Sequence, residues 1–425
     1  MSLALLVLLI FGLFLLRVPM AFAIFGPCLL YLIGEGHSIG LAFRLAMAGI
    51  NSWPLLAVPL FILVGIIATR TEIADRLYDA AVLLLGPLRA GLAYVNVGVS
   101  LGFSWMSGAA LADAAGIGSI EVDHMRRKGY PAEFAVGLSA SSAMISPIMP
   151  PSIPAVVFAS VAAVSTGALF AAAVIPAILV TIALCVTIWV WARNKTQFQG
   201  EPYDWMATRR AVLRALPAMG APVLILGGIL GGFFTPTEAA GIGALYMLVL
   251  AVSYRTVTWR DLVLIMRDTS LVTAQIMIII GASSLLSWIL AREQVPQAVA
   301  EGLLGLTDEP AVFLLIINVL LIGLGMILEP TSALLIITPI LLPVAVAFGI
   351  DPLQFGSIVI FNLMIGLLTP PMGGVAFVLS SVTGIPLERV FRGALYYFPA
   401  LLITLLIITY IPAVTLWLPQ ALGLR

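Results

Sequence analysis

The sequence predicts an all-α polytopic membrane protein built from two inverted structural repeats, with re-entrant helical hairpins and broken transmembrane helices. Three observations carry this. First, the 425 residues are 62% apolar and 9% charged, whereas soluble domains carry about 25% charged residues. Second, the apolar residues come in runs long enough to cross a hydrocarbon core of about 30 Å. Third, Pro-Pro pairs recur at matching places in the two halves, Pro150-Pro151 and Pro370-Pro371.

Ten crossings are expected, at 2–16, 18–34, 53–69, 131–165 (interrupted), 168–192, 211–233, 236–254, 271–290, 352–384 (interrupted) and 394–418. The first run lacks a basic residue ahead of it and is followed by Arg17 and Pro19, so it reads as a membrane helix rather than a cleaved signal. Two further segments, 92–125 and 311–348, have apolar arms around a central break and read as re-entrant hairpins. The repeats are then 1–192 and 211–425, joined by a polar cytoplasmic linker at 193–210. Stretches 71–86 and 294–306 are too short and polar to span; they read as amphipathic interfacial arms, with a surface loop as the alternative.

The repeat is visible residue by residue. Arg70 and Arg292 lie 222 positions apart, as do Asn96 and Asn318; Gly129 and Gly349, Met144 and Met364, and Ser160 and Ser380 lie 220 apart. Five crossings per half turn the second half upside down. With the N-terminus outside, 17 of the 20 basic residues fall inside, and only Arg44, Arg292 and Arg425 fall outside, as the positive-inside bias requires. Both termini are therefore expected on the periplasmic side of a bacterial inner membrane. Inverted repeats with broken helices are the architecture of secondary transporters, with the site near the midplane.

Composition also excludes chemistry. Neither lysine, Lys128 or Lys195, sits in a Gly-Lys-Ser/Thr phosphate loop. Two cysteines (Cys28, Cys185) and two histidines (His37, His124) support neither a disulfide framework nor a Cys/His metal site. A formal net charge of zero gives no basis for a nucleic-acid partner.

Prolines 147, 150 and 151 must unwind the first interrupted crossing, because proline lacks an N–H and disfavours helix before it. Unwound backbone at membrane depth is tolerated where it is buried or lines a cavity, and its freed carbonyls can ligate sodium. A proline kink packed in the core is the alternative. Each break should face a hairpin tip, 103–108 for the first and 325–331 for the second. Converging half-helix ends then offer sites for both an anion and a cation, which suits a carboxylate carried with sodium ions. Candidate ion-binding residues are Ser104, Met106, Ser107 and Gly108 at the first tip, and Ser146, Pro147 and Pro150 at the first break. Their counterparts are Gly325, Glu329 and Thr331 at the second tip, and Gly366, Thr369, Pro370 and Met372 at the second break. Candidate substrate-binding residues are Ser107, Ser141, Ser142, Asn362, Thr369 and Gly373. No cofactor is expected beyond Na+ as coupling ion. Glu238 reads as the acidic partner of a Thr235 helix cap. Asp113 and Glu329 are divided between structural bonds and ion coupling, and His37 and His124 read as solvated.

At these residues the chain resembles the large (M-type) membrane subunit of tripartite ATP-independent periplasmic (TRAP) transporters. The matching stretches include Ser107-Gly108 with Asp113, Ala140-Ser141-Ser142 with Pro147, Pro150-Pro151-Ser152, Phe234-Thr235-Pro236-Thr237-Glu238, Arg292-Glu293-Gln294-Val295-Pro296 and Thr369-Pro370-Pro371. The resemblance implies an elevator-type ion-transporter fold, a small four-helix membrane subunit and a periplasmic substrate-binding protein. It also implies sodium-coupled symport of small organic acids. Ala109, where Ser is frequent, Ser146, where Gly is usual, and Gly374-Val375-Ala376 depart from the family pattern beside the proposed ligands. A stand-alone ion-coupled carboxylate carrier is the alternative; a membrane hydrolase lacks a His near its serines, and a channel does not need inverted hairpins.

Overall fold

In lipid every backbone polar group must be bonded within the chain, and in the computed structural model the described residues form helices and no strand. The structure describes the chain apart from residues 1, 17, 196, 199, 201, 306, 372 and 425, and only the backbone at 15, 300, 303 and 304. Helices α1 (Leu3–Leu15), α2 (Met20–Gly34), α3 (Ile39–Ile50) and α4 (Ala57–Arg70) open the chain, followed by the short α5 (Ile73–Leu85). The first hairpin is α6 (Gly91–Ser107), α7 (Ala110–Asp113), a π-helical turn and α8 (Ser119–Arg127). The first broken helix is α9 (Ala132–Ser142) and α10 (Ile153–Ala162), and α11 (Thr166–Ala192) closes the first half.

The second half repeats the order. It runs α12 (Trp205–Leu230), α13 (Pro236–Ser253), α14 (Trp259–Arg292) and the short α15 (Val295–Leu304). The second hairpin is α16 (Pro310–Gly325) and α17 (Pro330–Ala347), and the second broken helix is α18 (Pro352–Gly366) and α19 (Gly374–Thr383). Then come α20 (Leu387–Leu395), α21 (Phe398–Tyr410) and α22 (Ala413–Ala421).

Two bodies result. A frame forms where α14 packs on α2, α3 and α4, α13 packs on α4 and α12, and α1 packs on α2. An inner body forms where each hairpin arm meets its break, α6 on α9 and α16 on α18, with α10 on α17 and α11 on α18, α21 and α22. The short helices α5 and α15 join them: α5 packs on α12 and α6, and α15 on α14 and α17. Both amphipathic arms are thus helices, placed between frame and hairpin, rather than surface loops.

Four expectations about boundaries need correction. The gap between the second and third expected crossings holds a helix, α3, and the eighth crossing starts at Trp259 rather than 271. These are one difference seen twice. Ile39 and Trp259 are 220 apart and Arg70 and Arg292 are 222 apart, so α14 matches α3 plus α4 in one unbroken helix. Trp53-Pro54 breaks the first copy, since Pro disfavours helix in the residue before it. The polar linker ends early: Asp204 Oδ1 accepts from Met206 and Ala207 N–H at 2.9 and 3.1 Å and starts α12 at Trp205. The tenth crossing, 394–418, is split into α21 and α22 at Pro412, and α20 meets α21 at a 55° bend. Among the described residues, six helices are individually long and apolar enough to span, seven if that bent pair counts as one. The remaining expected crossings fall on helices of 17 residues or fewer, including both broken ones.

The histidines are bonded rather than free in solvent. His124 pairs with the Tyr78 hydroxyl at 2.7 Å, and His37 with the Arg292 guanidinium. Glu238 completes the expected capping box with Thr235.

Candidate functional site

Each tip meets its break through glycine. Gly108 ends α6 in the left-handed region, φ 58°, and a Cβ there would lie 2.9 Å from the Pro151 carbonyl oxygen. Gly366 ends α18, and a Cβ there would lie 2.4–2.8 Å from the backbone of Gly325 at the second tip. Backbone approach this close excludes any side chain. The proline-rich stretches unwind as expected: helix geometry stops after Ile145 and resumes at Ile153, and stops after Gly366 and resumes at Gly374. Both Pro-Pro bonds, 150-151 and 370-371, are cis.

The first unit encloses a buried polar network. Asn96 donates to Ser139 Oγ at 2.6 Å and to the Glu121 carboxyl, and accepts from Ser142 Oγ at 2.8 Å. Ser100 Oγ donates to Ser142 Oγ at 3.2 Å, and Ser146 Oγ donates to Asp113 Oδ2 at 3.1 Å. Asp113 and Glu121 are 1% and 3% exposed, and one oxygen of each, with Ser141 Oγ, has no hydrogen-bond partner. Buried polar groups are ordinarily bonded, so these bare oxygens are the feature that fits a cation. The second unit repeats the pattern with fewer groups. Asn362, where the first repeat has Ser142, donates to Asn318 Oδ1 at 2.8 Å, and Asn318 donates to Thr409 Oγ1 at 3.1 Å. Asn362 Oδ1 and Thr338 Oγ1 are buried there without partners.

The candidate residues separate into groups. Ser104 is buried and donates to the Leu101 carbonyl at 2.6 Å, and Thr369 donates to the Ile365 carbonyl at 2.8 Å, so both hydroxyls are held by their own helices. The backbone of Met106 and Ser107 lies against Gly65 of α4. Pro147 gives its carbonyl to Ser152 Oγ at 2.5 Å, and Pro150 is buried. Glu329 is the N-cap of α17: its oxygens accept from Thr331 Oγ1 at 2.9 Å, Ser332 N at 3.0 Å and Ser332 Oγ at 3.3 Å. In this conformation Glu329 therefore makes the structural bonds to the start of its own helix. Pro370 is exposed, and Gly373, φ 48°, lies against the Phe391 ring. Met372 falls outside the described residues.

Both tips and both breaks open on one cavity of about 460 Å³. Gly108, Pro147, Glu329, Thr331 and Met364 contribute from the inner body, and Val272, Gln275, Ile276 and Ile279 of α14 from the frame. The helices beginning at Ala110, Ile153 and Pro330 all start at its wall. Asp113 lies in the first turn of the first and Glu329 caps the third, which leaves the start of α10 as the partially positive end without an acid beside it. Among the described residues that line it there is no Lys, Arg or His.

Sequence reasoning missed the α14 wall and Glu121. Gln275, an amide inside an apolar run, was the available signal for the first. Glu121 sits in a stretch, Ser119–Arg127, polar enough to pass for an exposed hairpin base. Only Asn96 across the hairpin reveals that it is buried.

Paired hairpins, paired broken helices and one cavity between an inner body and a frame define a multi-pass membrane transporter of elevator-type fold. Solved structures share this architecture: the YdaH transporter of Alcanivorax borkumensis (TM-score 0.56, 15% identity, 86% of each chain) and MtrF of Neisseria gonorrhoeae (0.56, 13%, 87% and 83%). The family described as "Tripartite ATP-independent periplasmic transporter, DctM component" matches residues 3–414, and the chain belongs to it. Among its relatives, the sialic acid TRAP transporter large permease protein SiaM of Vibrio cholerae is 40% identical over 96% of both chains. The C4-dicarboxylate TRAP transporter large permease protein DctM of Pseudomonas aeruginosa is 39% identical over 88% of this chain and 87% of its own. The protein is therefore a transporter permease component and not an enzyme.

Proposed function

We propose that this chain carries small organic acids inward across the bacterial inner membrane, driven by sodium and fed by a periplasmic substrate-binding protein. The cavity carries this reading. Helix ends converge on it without a basic side chain, so an anion can be held there without a permanent cation in lipid, whose burial is costly. The bare buried oxygens of the two tip–break units supply cation ligands, one set per repeat. An anion accompanied by more sodium ions than it has negative charges crosses with net positive charge, worth about 2.3 kcal/mol per 100 mV for each charge. Related permeases named for sialic acid and for C4-dicarboxylates support an acid substrate. The family's description as tripartite supports a small membrane subunit and a binding protein as partners. The inner body, both hairpins and both breaks, moves past α14 with the acid and its ions, and both termini face the periplasm.

Reconstitution with the small membrane subunit tests this. Uptake should require a sodium gradient and the added binding protein, and should accelerate with an inside-negative potential. Unchanged uptake with potassium in place of sodium would overturn the coupling. Saturable uptake of free acid without the binding protein would favour a stand-alone carrier.

A further inference from the structure

We infer that the substrate is a monocarboxylate with an apolar body, carrying at most one further polar atom, rather than a dicarboxylate or a polyhydroxylated sugar acid. This rests on reading the shared cavity as the substrate site. The relatives leave the choice open, because a sialic acid permease and a C4-dicarboxylate permease match this chain about equally, at 40% and 39% identity. The wall decides it.

The cavity is walled by Leu111, Ile276, Ile279, Leu367 and the methyl groups of Ala109 and Ala112. Three polar side chains reach it: Gln275, Glu329 and Thr331. Two of these are committed. Thr331 Oγ1 donates to Glu329 Oε1, while Glu329 Oε2 accepts from Ser332. A carboxyl that caps its own helix offers no donor to a second carboxylate. Gln275, on the frame, is left to meet one polar atom of a ligand. The ligand's carboxylate goes to the start of α10, which has no acidic side chain in its first turn, whereas Asp113 stands in the first turn of the α7–α8 arm. The hydroxyls of a sugar acid, or the second charge of a dicarboxylate, would then face aliphatic wall. Each buried polar group left without a partner lowers affinity about tenfold or more.

The test is ligand binding to the full-length chain, purified from membranes in sodium chloride with any subunit that stays bound. Thermal-shift titration with 4-methylpentanoate, succinate and gluconate gives three apparent Kd values. The expected result is 4-methylpentanoate tightest, with succinate and gluconate at least about tenfold weaker. Ala109→Ser adds one hydroxyl to the tip and should narrow the gap to gluconate about fivefold. Succinate or gluconate binding as tightly as 4-methylpentanoate would overturn this inference and leave the anion cavity standing. Binding of none of the three would overturn both.

Discussion

The two hairpins share a plan and differ in what they bury. The first encloses two carboxylates, Asp113 and Glu121, held by Asn96 and four serines. The second has Leu335 and Leu341 where offsets of 222 and 220 place Asp113 and Glu121; its buried polar groups are hydroxyls and amides such as Thr338 and Asn318, and its one acid, Glu329, is spent on capping the tip. The first arm is also interrupted by a π-helical turn at Ala114–Gly118, whereas α17 runs 18 residues without a break in spite of Pro339 and Pro343. Duplication thus fixed the backbone device, a glycine tip against an unwound proline break, while the buried carboxylates concentrated in one copy. Symmetric architecture does not require symmetric chemistry.

The largest expected effect separates the two asparagines. Asn96→Leu removes the donor to Glu121 and Ser139 and the acceptor of Ser142, and strands a buried acid. It should cost about 3–5 kcal/mol. Asn318→Leu leaves Asn362 still bonded to the Ile358 carbonyl at 2.8 Å and should cost about 1–2 kcal/mol. Denaturant unfolding in detergent measures both, and equal losses would erase the asymmetry.

Glycine substitutions probe the shared device. Gly366→Ala drives a methyl into the Gly325 backbone, where neither partner can yield, and should cost about 3 kcal/mol. Gly108→Ala meets the Pro151 carbonyl at 2.9 Å from a left-handed conformation and should cost about 2 kcal/mol. Both should abolish uptake. Full uptake by either variant would mean that tip and break need not touch.

Charge removal sharpens the contrast further. Glu329→Gln keeps a capping oxygen and should change stability by less than about 1 kcal/mol while retaining sodium-dependent uptake. Asp113→Asn should abolish sodium-dependent uptake in folded protein. The reverse pattern would move the ion-handling acid to the second hairpin. Smallest of all, Arg70→Gln breaks a pair with Asp268 that is about a third exposed on each side. It should shift stability by no more than about 0.5 kcal/mol, and less in high salt; a larger loss would give this frame contact a weight like that of the buried networks.

Much of this architecture is legible because proline and glycine act locally. The clustered Pro147, Pro150 and Pro151, and the pair Pro370-Pro371, unwind their helices where single prolines such as Pro176 do not, and the offsets that pair Asn96 with Asn318 expose the duplication before any contact is known. The Asn–Ser142 and Asn–Asn362 bonds then give those offsets physical content. What stayed hidden depends on what lies across the chain. Glu121 is distinguished from exposed Asp123 only by the face of α8 that it occupies. Likewise α3 is short, carries Arg44 and resembles a loop until α14 packs on it. The cavity wall on α14 lies in an apolar run in which the amide of Gln275 is the mark of the face that lines the cavity.

The proposed transport movement slides the inner body, with both hairpins and both breaks, as a unit against the frame. Ser52, just before α4, and Ser160, on α10 of the inner body, bring their hydroxyl oxygens to 3.0 Å across that interface. Cysteines at both positions, with Cys28 and Cys185 replaced, should form a disulfide under oxidation, since the separation suits one. The oxidised protein should lose uptake in reconstituted vesicles, keep its thermal response to bound acid, and regain uptake on reduction. Uptake undiminished in fully cross-linked protein would contradict the movement.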